Sequence, residues 1–146
     1  MTRRAINSWR HRTASVLLLL APTIAMAQGR VGMVPVRIET SVGVITADLD
    51  SARAPVTVRN FLRYLDSLAY DGGAFHRAVT MSNQPRDTVR IEVIFGGHRN
   101  LDGQGFAVFG RVTGGMDVVR VIQRSPVDAQ ALTPPISIVR VQRVMR

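Results

Sequence analysis

Two stretches near the start of the folded region alternate apolar and polar residues. Val34 to Thr40, VPVRIET, has the period of a half-buried strand, and Val44 to Leu49, VITADL, is a second β-like run. The short link Ser41-Val42-Gly43 joins them as a hairpin. The period then changes. Ala54-Pro55 opens a helix, because proline in a first turn gives up no hydrogen bond. Val58, Phe61, Leu62, Leu65, Leu68 and Ala69 recur at helical spacing, with Arg59, Arg63 and Asp66 on the wet side. Asp71-Gly72-Gly73 reads as the stop.

Beyond it, Ala74 to Val79 and Val89 to Ile94 read as strands around a turn-rich segment, Met81 to Asp87. Phe95 to Gly105 holds four glycines and reads as loop. Phe106 to Val112 is a further strand, broken by Gly114-Gly115. Met116 to Gln123 is a short amphipathic helix with Met116, Val119 and Ile122 inward. Pro126, Pro134 and Pro135 mark a loop, and Ile136 to Val144 closes the chain as a β run. One long helix and one short helix among about six strands suggest an α+β or closed β architecture.

The first 27 residues have a different character. Arg3, Arg4, Arg10 and Arg12 precede the apolar run Ala14 to Ala21, and Ala25-Met26-Ala27 is a small-x-small cleavage site. That is the pattern of a secretory signal peptide, and the run is short for a membrane span, which takes about 20 residues. Export to the periplasm is expected, with membrane contact only in transit, or an anchored protein if cleavage fails. Residues 28–33 are a lead-in to one domain, 34–146. The whole chain carries a formal charge of +9. The signal holds four of the 19 basic residues and none of the ten acids, so fifteen against ten leaves +5. Those arginines are scattered and not interleaved with aromatics, so nucleic acid is not an expected partner. A monomer is expected.

Composition excludes chemistry as well. The chain has no lysine and no cysteine. There is therefore no Walker-type phosphate loop, Schiff base, thiol nucleophile, disulfide or cysteine zinc site. Two histidines after the signal, His76 and His98, are thin material for a metal centre, and no cofactor is expected. Gly103-Gln104-Gly105 has no third glycine at 108 and precedes a strand, so it is not a dinucleotide fingerprint. No G-x-S-x-G elbow frames a serine. Asp48 and Asp50 share a strand face that runs into a loop, where a solvated pair is ordinary. What remains is Phe75-His76-Arg77, a histidine and an arginine in what reads as a buried strand. Burying a charge is costly unless it is paired or used.

The surroundings of that triplet carry a resemblance. Ala54-Pro55-x-x-Val58-x-Asn60-Phe61, Tyr70-Asp71-Gly72 and Phe75-His76-Arg77 stand in the order and spacing of the cyclophilin family of peptidyl-prolyl isomerases. Leu101-Asp102-Gly103, Val108-Phe109-Gly110-Arg111-Val112 and Gly115-Met116-Asp117-Val118-Val119 resemble the family's late hairpin and second helix. The resemblance runs from about Val34 to Val144. It implies a mainly β, barrel-like fold with two helices, no cofactor, and proline-containing peptides or unfolded segments as partners. It implies that Arg77 is catalytic and that Phe75 and His76 wall the site. Leu101 falls where the family lines its proline pocket, Phe106 near a position often held by histidine or tyrosine, and Gln84 stands in for a family glutamine.

The chain also departs from the family. Only Ala78 to Arg99 separates the Phe-His-Arg strand from the Leu-Asp-Gly loop. The family's Phe-Met-x-Gln-Gly-Gly, Met-Ala and Ser-Gln-Phe-Phe-Ile segments have no counterpart, which places a gap near Ile94–Phe95 and implies an incomplete barrel. The expected function is isomerisation of X-Pro bonds in exported proteins, assisting their folding. The alternative is a catalytically degenerate module that binds peptides on the same scaffold.

Overall fold

A computed structural model describes residues 32–85, 89–97 and 107–145. The leader, Leu101 and Phe106 lie outside the described residues. The expected hairpin forms as β1 (Met33–Thr40) and β2 (Gly43–Asp50), paired without interruption from Met33↔Asp50 to Thr40↔Gly43. The rest of the order is α1 (Pro55–Asp66), β3 (Ala74–Val79), β4 (Val93–Gly97), β5 (Gly110–Gly114), α2 (Met116–Gln123), β6 (Val127–Asp128) and β7 (Ala131–Arg143). All pairings are antiparallel, in the order β4-β3-β7-β1-β2-β5, with β6 added beside β7.

Strand β7 is the spine. Its C-terminal part pairs with β1 and its N-terminal part with β3, so one 13-residue strand joins the two halves of the sheet. Helix α2 packs against β2 from one half and against β3 and β4 from the other, so the sheet curls around it. The result is a half-barrel, open between β4 and β5 among the described residues. Its single core joins Val36, Ile45 and Leu49 of the hairpin, Val58, Leu62 and Leu65 of α1, Phe75 and Ala78 of β3, Val118 and Ile122 of α2, and Leu132, Ile138 and Val141 of β7. Gly115 starts α2 at φ +77, where a Cβ would lie 2.1 Å from the Val44 carbonyl oxygen, so only glycine lets the helix approach β2.

Several expected boundaries move, each for a local reason. Helix α1 stops at Asp66, before the glycine signal at 72. The Ala69 N–H donates to Tyr64 O at 2.9 Å and the Leu68 N–H to Leu65 O at 3.0 Å, a Schellman ending with Leu68 at φ +58 in the place of the usual glycine. Leu68 is therefore turned out to solvent rather than into the core. Residues 89–92 are not strand, and β4 takes in Phe95 to Gly97, which had read as loop. Strand β5 starts at Gly110 rather than Phe106. In α2 the buried residues are Val118 and Ile122, while Met116 is exposed. Pro134 and Pro135 lie within β7, where the strand bulges away from β3 and no ladder bond asks for their missing N–H.

Candidate active site

The site is built on an irregularity in β3. In a regular strand, residues 75 and 77 point to the same face. Here Phe75 pairs with Gly96 and Arg77 with Phe95, leaving His76 as an extra residue on β3. On the other side, Phe75 pairs with Ile136 and Arg77 with Ala131, so β7 bulges as well. A bulge re-aims side chains. Phe75 is buried in the core, His76 is half-buried and Arg77 is exposed. No polar or charged residue is buried among the described residues. The cost of interring a cation is thus avoided by the backbone rather than offset by a partner.

Each of these side chains has a definite setting. The ring of Phe75 lies across Gly96, where an added Cβ would come within 2.4 Å of it, so glycine makes room for the aromatic face. The Arg77 guanidinium carbon stands 5.0 Å from the centre of the Phe95 ring, a cation–π contact. Arg77 Nε donates to Gln130 Oε1 at 2.9 Å, and a terminal guanidinium nitrogen donates to the same oxygen. Among the described residues no carboxylate pairs with Arg77; the ion pairs there are Arg37–Glu39, Arg53–Asp50 and Arg143–Asp66. Among the described residues, the positive charge is oriented but met by no carboxylate.

Gln84 lies close by in sequence but is otherwise engaged. Its Nε2 donates to Thr80 O at 2.7 Å and to Ile91 O at 2.9 Å, and its Oε1 accepts from the Ile91 N–H at 3.0 Å. It clasps the segment after β3 to the segment before β4. Asn83 works beside it, donating to Ala78 O at 3.0 Å and accepting from the Thr80 N–H at 2.7 Å. Of the six expected site residues, Phe75, His76 and Arg77 come together on β3, Gln84 anchors the adjoining loop, and Leu101 and Phe106 lie outside the described residues.

Gln130 and Phe95 were not anticipated. Gln130 is 53 residues from Arg77 in the chain, inside a stretch whose prolines read as loop. Phe95 was hidden by the glycines that follow it. Recesses of about 770 Å³ and 400 Å³ lie elsewhere: against α1, between Leu62 and Arg143, and beside β5, between Asp48 and Phe109. Among the described residues no group of three or more histidines, aspartates or glutamates could hold a metal. Tyr70, stacked on Phe61 with ring centres 4.9 Å apart, has its phenol pushed up to about 12 by burial, with Tyr64 adding to it. Asp66 is lowered by its hydrogen bond from Arg143.

Comparison with known proteins follows the same residues. The family model described as cyclophilin type peptidyl-prolyl cis-trans isomerase matches in two stretches, 35–89 and 78–143, which share residues 78–89. A peptidyl-prolyl cis-trans isomerase of Streptomyces antibioticus is 31% identical over 139 residues, an alignment taking in 62% of this chain and 84% of the relative. Dozens of the relative's residues therefore face none here. A peptidyl-prolyl cis-trans isomerase A of Dickeya dadantii is 46% identical over 44 residues, which is 30% of this chain and 23% of that one. In fold, a Cryptosporidium parvum cyclophilin type isomerase superposes with a TM-score of 0.57 at 15% identity, covering 78% of this chain and 99% of its own. Its structure in the presence of the dipeptide Ala-Pro gives 0.55 at 16% identity, covering 77% and 99%.

Proposed function

The chain belongs to the cyclophilin-type peptidyl-prolyl cis-trans isomerase family, and from that premise we propose that this shortened member still catalyses rotation about X-Pro bonds, with Arg77 as the catalytic residue. The observation that carries the proposal is the exposed Arg77 guanidinium, held by a neutral amide over an aromatic ring and compensated by no carboxylate among the described residues.

The X-Pro amide resists rotation through C–N resonance, and the barrier for a peptide bond is about 18–20 kcal/mol. Twisting the bond localises a lone pair on the proline nitrogen. A fixed cationic donor aimed at that nitrogen binds the twisted amide better than either planar form, which is the requirement for catalysis. Arginine suits this role because it stays protonated and presents a rigid fork of donors. Mounting it on a sheet bulge, with Phe75 anchoring the strand from inside, supplies the rigidity. The family resemblance assigns Leu101 to the lining of the proline pocket and Phe106 to a neighbouring position.

The N-terminal basic, apolar and small-residue pattern supports export, and hence exported polypeptides as clients in the periplasm. The unmatched residues of the Streptomyces relative favour a second reading, a scaffold that grips proline peptides without turning them over. One experiment separates the two: the cis-to-trans rate of a short Ala-Pro peptide with and without the protein, beside a binding titration of the same peptide. Acceleration is expected. Saturable binding with an unchanged rate would select the second reading.

A further inference from the structure

We propose that Gln130 is the positioning residue for the Arg77 guanidinium, a role that rests on the isomerase reading above. Two N–H donors of one planar fork converge on its Oε1, one of them Nε at 2.9 Å. That pairing sets both the direction and the roll of the guanidinium plane, while the Phe95 ring supports its face. Two of the five N–H donors are taken, and among the described residues the others are left for a ligand.

The acceptor is itself fixed on several sides. Gln130 Nε2 donates to Asn83 O at 2.9 Å. The Gln130 backbone carbonyl accepts from the N–H of Ala78, the residue after Arg77, at 2.9 Å. Gln130 sits in the two-residue link between β6 and β7, whose first residue, Ala129, is at φ +54. Asn83 in turn is tied by its side chain to Ala78 and Thr80. The path Arg77–Gln130–Asn83 thus closes back on the strand that carries the arginine.

The neutral acceptor matters chemically. A carboxylate at this place would orient the fork equally well but pair off its charge. An amide oxygen orients it and leaves the full charge for the twisting amide. Gln84, which the family resemblance places in the site, has both of its amide atoms on Thr80 and Ile91. In this chain the glutamine on the arginine comes from the β6–β7 turn.

The test uses Gln130→Ala, Gln130→Glu, Arg77→Ala and the Gln130→Ala/Arg77→Ala double variant, in the Ala-Pro peptide assay and by NMR of the Arg77 Nε–H. Gln130→Met is read alongside, since it keeps side-chain length and backbone bonds if the alanine loosens the turn. Removing the acceptor is expected to lower kcat/KM about tenfold, mostly in kcat, because the fork loses its aim. The Arg77 Nε–H resonance should move to the position of a free arginine. Gln130→Glu should restore the resonance and not the rate. The double variant should be no slower than Arg77→Ala alone, because both changes act through one group. A Gln130→Ala or Gln130→Met enzyme with the wild-type rate, or a loss that persists undiminished without Arg77, would overturn the role. Wild-type protein without acceleration would instead overturn the isomerase reading, and the role with it.

Discussion

The β1–β2–α1 unit and the described residues between 80 and 92 are held in place by different forces. In the first, Val36, Ile45, Leu49, Val58, Leu62 and Leu65 are buried, and an unbroken antiparallel ladder joins the two strands. In the second, Met81, Val89 and Ile91 are exposed, Val89 at 89% of its full surface. There the chain is shaped by the amides of Asn83 and Gln84 bonding to backbone. The family-model match resumes at residue 78, before its first stretch has ended at 89, and the Streptomyces relative carries residues that find no partner here. The helices, the first hairpin and the last strand share an apolar core, whereas the segment between β3 and β4 relies on polar clasps.

Perturbing the two regions should give effects of different size. Ile122 is fully buried where α2 fills the curl of the sheet. Ile122→Ala should cost about 3–4 kcal/mol through lost transfer energy and a cavity, read as a fall in the denaturant midpoint. A loss under about 1 kcal/mol would mean that the half-barrel is loosely packed. Asn83→Ala should cost about 1–2 kcal/mol, because two backbone groups lose their partners. Limited proteolysis should then cut within 80–92 faster than in α1, and equal rates would contradict the difference drawn between the regions.

Leu68→Gly should stabilise the protein by about 0.5–1 kcal/mol, since the left-handed ending of α1 penalises a Cβ and this side chain is already in solvent. An unchanged or lower Tm would argue against that helix ending. A further effect, confined to high pH, is on alkaline stability. Tyr70 loses its proton near 10 in the unfolded chain and at about 12 in the fold. Stability from this group is therefore whole below pH 10 and falls as the pH climbs toward 12. In Tyr70→Phe that part of the decline should be absent.

What could be read from residue order alone follows from where the determining contacts lie. The hairpin and α1 write their periodicity into consecutive residues, so their existence and inward faces were readable, apart from Leu68. The end of α1 was not, because a Schellman turn closed by leucine carries no glycine signal at that position. Two prolines in β7 argued for loop, and only pairing with β3 and β6 shows that they occupy a bulge. Arg77 stands out as an arginine inside an apolar run. The bulge that turns it outward depends on β4 and β7, strands remote in sequence. Gln130 has no local mark, because its significance arises when the last hairpin folds back over β3.

The most direct measurement is the isomerisation rate of an Ala-Pro peptide with wild-type protein and with Arg77→Ala, each first shown to melt cooperatively. The side chain of Arg77 is exposed, so its removal should leave Tm nearly unchanged. It should lower kcat/KM by about 10²–10³-fold, the scale of losing one preorganised donor to developing charge. Equal rates for the two proteins would show that the guanidinium takes no part in the reaction.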